Sequence, residues 1–192
     1  RLFREQDNAH YDFSHDRIRD VAYAEISPVR RRWLHRCVAE GLESIHAAEL
    51  DGVSGQLATH YELAGLPENA VVFYQRAGAV AQQLYAHAEA THHLAKGLVL
   101  LQQLPVTREH LRQELRLQFA LGISLDVVSG TSASEVREVY LRAQQLAIQV
   151  GDDQDRLVAS AGLHISELNC GHLQAAYELA VQCLSLAERI GD

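Results

Sequence analysis

Apolar residues recur along most of this chain at spacings of three and four, the signature of amphipathic helices. The exception is the start, where Tyr11 and Phe13 alternate with polar neighbours at the period of a strand. At Ser14 and His15 the pattern turns helical. In "ISPVRRRWLHRCVAEGLESIHA", Ser27 is a candidate cap and Pro28 a first helical residue. Val29, Trp33, Cys37, Val38, Gly41, Leu42 and Ile45 then form one stripe, with Trp33 and Leu34 expected to face the core. A break at Gly65 and a restart at Pro67 mark the next boundary. Pro105 ends a later helix, and Thr107 is the candidate cap of another, whose stripe holds Leu111, Leu115, Phe119 and Gly122. "SGTSASEV" and "VGDDQD" supply the remaining turns. The pattern predicts an all-α chain of about nine helices with at most a short two-strand β-ribbon near its N-terminus.

The helices show internal repetition. "LRAQQLAIQVGD" (141–152) aligns with "AVQCLSLAERIGD" (180–192) at a shift of 40 residues, the length of a helix-hairpin repeat. The shared Gly-Asp fits a helix ending on glycine and a successor starting on an acid. Leu57, Ala58, Tyr61, Ala70, Tyr74 and Ala77 fit the large-and-small series of tetratricopeptide repeats. So does Tyr74, Ala77, Gly78, Ala81, Ala90, Leu94 and Gly97, which makes the 67–84 helix serve two hairpins. Leu121, Gly122, Leu125, Val136, Tyr140 and Ala143 give a third match with a longer turn. Leu163, Ala176 and Ala180 give a weaker fourth. Small residues let helices approach while large ones plug the groove between them. An irregular helical bundle is the competing reading.

Composition narrows the function classes. The net charge is −8, and residues 51–192 carry 9 basic against 16 acidic side chains, a balance that repels nucleic-acid backbones. Residues 1–50 are near balance, with 8 Arg against 9 acids. Cys37, Cys170 and Cys183 are scattered without metal-ligand spacing and read as small core residues in a reducing, cytoplasmic setting. No stretch reaches the roughly 20 apolar residues that a membrane helix needs. The chain has no methionine, which implies a piece of something longer.

"FSHDRIRDVAY" followed by "SPVRRRWLHRCVAEGLE" resembles the junction in signal-transduction ATPases with numerous domains, the STAND class. In that class a nucleotide-binding domain leads into a winged helix and then superhelical repeats; its bacterial members include transcription regulators and cyclase-associated ATPases. The resemblance covers residues 2–45, while residues 46–192 resemble the tetratricopeptide-like arm. It implies that residues 1–50 are the C-terminal part of a winged-helix-like module and that residues 51–192 are helical repeats. "SHDRIRD" further resembles the Met-His-Asp motif of related nucleotide switches, which implies that His15 and Asp16 sense the β-phosphate of ADP. The chain carries no G-x-x-x-x-G-K-[ST] loop, so ATP or ADP is expected for a parent protein and no cofactor for the fragment.

Other tempting residues have plainer readings. His15 also suits a helix cap. Arg30, Arg31, Arg32 and Arg36 could meet a DNA backbone, but a solvated helix face paired with Asp16, Asp20 and Glu25 accounts for them. Eleven histidines include no His-Glu-x-x-His, and His87 and His92 are five residues apart, so no metal site is expected. No pairing of nucleophile with base, or of carboxylates in an apolar setting, points to catalysis. The resulting expectation is a non-enzymatic regulatory arm that binds a protein partner, its own ATPase core or a small-molecule inducer. His60, Tyr61 and Tyr85 are its candidate groove residues, with helix packing the plainer role for the tyrosines. A free-standing helical scaffold and a DNA-binding winged-helix fragment are the alternatives.

Overall fold

A computed structural model describes the backbone of residues 3–7, 10–13 and 16–191, and the side chains of residues 20–191. Strands β1 (Phe3–Asp7) and β2 (His10–Phe13) form an antiparallel ribbon in which Phe3 pairs with Phe13. Nine α-helices follow among the described residues: α1 (Asp16–Glu25), α2 (Pro28–Ile45), α3 (Ser54–Ala64), α4 (Pro67–Gln83), α5 (His87–Leu101), α6 (Arg108–Ser129), α7 (Ser134–Val150), α8 (Asp153–Asn169) and α9 (Leu173–Gly191). A 3-10 turn, Asp51–Val53, leads into α3. Among the described residues the protein is all-α apart from the ribbon.

Local chemistry sets the boundaries. Ser27 Oγ accepts from the Arg30 amide at 3.4 Å, and Thr107 Oγ1 accepts from the His110 amide at 3.1 Å. Pro28 and Pro67 each sit in the first turn of their helices. Gly65 and Gly151 end α3 and α7 in the left-handed conformation, at φ 74° and 80°. Asp152 then caps α8 by accepting from the amides of Gln154 and Asp155. The Gly-Asp pair thus stops one helix and starts the next.

From α2 to α9 each helix packs against its sequence neighbours, and a smaller contact joins α4 to α6. That second contact is tied by Gln82, whose Nε2 donates to the Ala120 carbonyl at 2.7 Å and to Ser124 Oγ at 2.8 Å. The main core runs from Ala39 on α2 through Leu57, Tyr74 and Leu94 to Leu117 on α6. Leu115 turns the other way, towards Leu146 and Ala159, so α6 is buried on two sides. Val136, Tyr140, Leu163 and Leu179 close the end formed by α7, α8 and α9.

Close approaches at glycine make this packing possible. A Cβ on Gly78 would lie 2.7 Å from Cγ and Cδ2 of the fully buried Leu94, inside any tolerable contact. The Tyr140 ring sits between Gly122 on α6 and Gly162 on α8, and a Cβ at either position would collide with it. The Tyr140 hydroxyl donates to Asp126 Oδ2 at 3.0 Å. Burial and the Asp126 carboxylate push its phenol well above the ordinary range.

Three expectations are corrected. Most of the stripe on α2 faces outward: Val29, Trp33 and Ile45 are 79%, 59% and 78% exposed, while Leu34 is half-buried, Leu42 packs against the core and Ala39 enters it. The cysteines are not core residues, since Cys37 is exposed and Cys170 and Cys183 are half-buried. Arg31 does not merely coat a solvated face. Its Nε donates to the Ile26 carbonyl at 2.7 Å and its Nη2 to the Ala24 carbonyl at 3.4 Å, so it caps the end of α1. Arg36 pairs with Glu40 on its own helix at 2.7 Å.

The fit at Gly78 gives a direct test. Gly78→Leu should destabilise the fold by about 1–3 kcal/mol through overpacking. Gly41, also helical, has nothing within 4 Å of its would-be Cβ. Gly41→Ala should therefore stabilise the protein by up to about 1 kcal/mol, through helix propensity alone. Denaturant melts of the two variants check both signs; an unchanged midpoint for Gly78→Leu would contradict the packing.

Candidate partner groove

The two helices that flank α6 leave a groove between them. Helix α5 contributes Thr91, Ala95 and Leu98, which share a face at spacings of four and three. Helix α6 contributes Gln118, Leu121 and Leu125, and α7 contributes Glu135, Glu138, Val139 and Arg142. The hollow has a volume of about 450 Å³. Its leucines and Val139 are apolar, yet two polar atoms are buried there without a hydrogen-bond partner: Thr91 Oγ1 and Gln118 Oε1. Such an atom costs about 1–3 kcal/mol when left unsatisfied, so a position with two of them is set apart from ordinary packing.

Charge around the groove is uneven. Arg142 is engaged by Glu114 in a two-pronged ion pair, Nε to Oε1 at 2.7 Å and Nη2 to Oε2 at 2.9 Å. Glu135 and Glu138 are exposed, and among the described residues no ion pair engages them. A second hollow, about 430 Å³, continues over the other edge of α5 and shares Thr91 and Ala95 with the first. It holds Glu62, His92, Lys96, Val99 and Gln103. Here the single lysine of the chain is also engaged. Lys96 Nζ donates to Glu62 Oε2 and to the Tyr74 hydroxyl, each at 3.2 Å, and lies 5.4 Å from the Tyr74 ring centre. The Tyr74 hydroxyl in turn donates to Glu62. Burial, then the bond to Glu62, raises the Tyr74 phenol; hydrogen bonds to Tyr74 and Glu62 outweigh burial and raise the Lys96 ammonium.

The residues singled out from the sequence fall elsewhere. His15 lies outside the described residues, as does the side chain of Asp16, whose backbone opens α1. Tyr61 is 3% exposed; it stacks on Phe73 with centroids 5.5 Å apart and donates to Glu43, so it is packing and not groove lining. Tyr85 is 86% exposed at the turn between α4 and α5, where it takes φ 58°, a left-handed position that glycine usually occupies. It precedes α5 and lines neither hollow. Thr91, Gln118, Glu135 and Glu138 carried no signal in the sequence, because only the juxtaposition of α5, α6 and α7 distinguishes them.

His60 belongs to a different cluster, at the joint between α1, α2 and α3. Tyr23 Oη lies 2.9 Å from His35 Nε2, and His35 Nδ1 lies 2.9 Å from His60 Nδ1. Two Nδ1 atoms that face each other can share one proton, with one ring donating and the other offering its lone pair. The Arg31 guanidinium covers the Tyr23 ring at 4.9 Å and adds positive charge from α2. Burial lowers the pKa of both histidines, and the neighbouring His35 lowers that of His60 further. The joint is built for neutral rings.

Among the described residues, no group of three or more His, Cys, Asp or Glu is placed to hold a metal ion. No described helix is long and apolar enough to cross a membrane.

No family model matches the chain. Over 139 residues, 71% of the chain, it is 31% identical to an uncharacterized protein of Rhizobium meliloti (strain 1021). The matched stretch spans 13% of that relative's length.

The histidine joint predicts acid sensitivity. Folded-state pKa values below the ordinary 6.5 mean that the unfolded chain takes up protons first as pH falls. The stability supplied by the joint is thus complete above about pH 6.5 and is lost as pH drops through the lower folded values. Histidine-resolved NMR should show His35 and His60 titrating below 6.5, with shifts in α1 resonances over the same interval. Titration of both at or above 6.5 would contradict the shared-proton arrangement.

Proposed function

We propose that this chain is a non-catalytic regulatory and protein-interaction segment of a larger multidomain signalling or transcription regulator of the STAND type. In this reading residues 1–50 belong to a winged-helix-like module and residues 51–192 form a tetratricopeptide-like superhelical arm. ATP or ADP belongs to the parent protein, with His15 and Asp16 its sensing residues. The arm engages a protein partner, the parent's own ATPase core or a small-molecule inducer.

One observation carries the interaction role: the two adjoining hollows along α5 that share Thr91 and Ala95. Stacked helix pairs bury their cores between neighbours and leave such open faces for other molecules. Sequential packing from α2 to α9 and glycine-ended helices support the repeat architecture. The sequence pattern at residues 2–45 supports the STAND placement.

Ala95 is exposed and common to both hollows, so Ala95→Arg fills them without touching the core. In the full-length parent this variant should change basal ATP turnover several-fold, on the order of 1 kcal/mol of altered regulatory equilibrium, while the melting midpoint stays put. Unaltered turnover with unaltered melting would contradict the role of this face.

A further inference from the structure

We infer that the groove between α5 and α7 takes a segment of a partner protein in which an arginine stands beside an apolar anchor. The inference rests on the interaction role above and specifies its occupant. The floor of Leu98, Leu121, Leu125 and Val139 provides the apolar seat.

The polar groups then select what accompanies the anchor. Gln118 Oε1 is an acceptor buried without a donor, and Thr91 Oγ1 is a buried hydroxyl that can also accept. Above them stand Glu135 and Glu138, one helical turn apart on α7 and both exposed. The cations of this face, Arg142 and Lys96, are already engaged by Glu114 and Glu62. Negative charge and acceptor oxygens therefore dominate what remains on offer, beside the donors of the Thr91 hydroxyl and the Gln118 amide nitrogen. A guanidinium answers both, because its fork of five N–H donors can reach a carboxylate and an amide oxygen together, which a compact ammonium does less well. The excess of acids over bases across residues 51–192 steers such a segment in and turns away acidic peptides and nucleic acid. An apolar ligand alone would leave the Gln118 oxygen unpaired, and an acidic ligand would meet the carboxylates of Glu135 and Glu138.

The test is selection of a displayed random dodecapeptide library on the whole chain at low salt. Sequences with arginine next to Leu, Ile, Val or Phe should be enriched. A synthetic peptide made from them should lose affinity about tenfold or more against Glu135→Lys/Glu138→Lys, as expected for reversing two rim charges. It should also bind less tightly to Gln118→Leu, although that variant melts no lower than the parent chain because a buried orphan atom has been removed. Enrichment of acidic or uncharged peptides that Ala95→Arg blocks would overturn the inference and leave the groove's interaction role standing. If no enriched peptide responds to Ala95→Arg, both fail.

Discussion

The structure depends on large side chains seated against helix backbones where glycine leaves no Cβ in the way. Leu94 lies over Gly78, and the Tyr140 ring is held between Gly122 and Gly162. These contacts fix how closely successive helices can approach, and interiors at close-packed density do not absorb an extra methyl group cheaply. Tyr140 joins three helices at once, α6, α7 and α8, and its hydroxyl is anchored by Asp126. Removing the glycines would push apart the pairs on which the core clusters rest.

The open face follows from the same packing. Helices that meet mainly their sequence neighbours leave hollows where alternate helices face each other, as α5 and α7 do across α6. Ion pairs between helices then decide what charge is left over. Glu114 uses Arg142, Glu62 uses Lys96, and the buried Glu167 takes both Arg137 at 2.6 Å and His172. Burial raises the Glu167 carboxyl, but the bonds from His172 and Arg137 outweigh it and the net shift is downward. With these cations committed, Glu135 and Glu138 set the character of the groove.

Much of the helix layout was legible because caps and breakers act locally. Ser27, Pro28, Pro67 and Thr107 begin helices, and Gly65 and Gly151 end them, for reasons contained within a few residues of chain. The small residue at Gly78 was also legible, since the spacing of small and large positions reports which helix faces meet. Burial on α2 was not. Periodicity identifies an apolar face but not whether a neighbour covers it, and the Val29–Trp33–Ile45 stripe is left open while Ala39 is buried. Tyr61 suited either a groove or helix packing by its spacing, and tertiary contact with Phe73 and Glu43 encloses it. The unpaired atoms of Thr91 and Gln118, and the pairing of His35 with His60 across 25 residues, arise only from tertiary contact.

A double-mutant cycle on Gly78 and Leu94 tests the packing principle most directly. With Leu94 present, Gly78→Ala must displace a buried side chain and should lower stability. With Leu94→Ala the new Cβ has room, and the same substitution should be neutral or stabilising. A coupling energy of about 1–3 kcal/mol is the predicted result. Additivity within about 0.5 kcal/mol would show that the glycine is not what lets these helices meet, and would contradict the account.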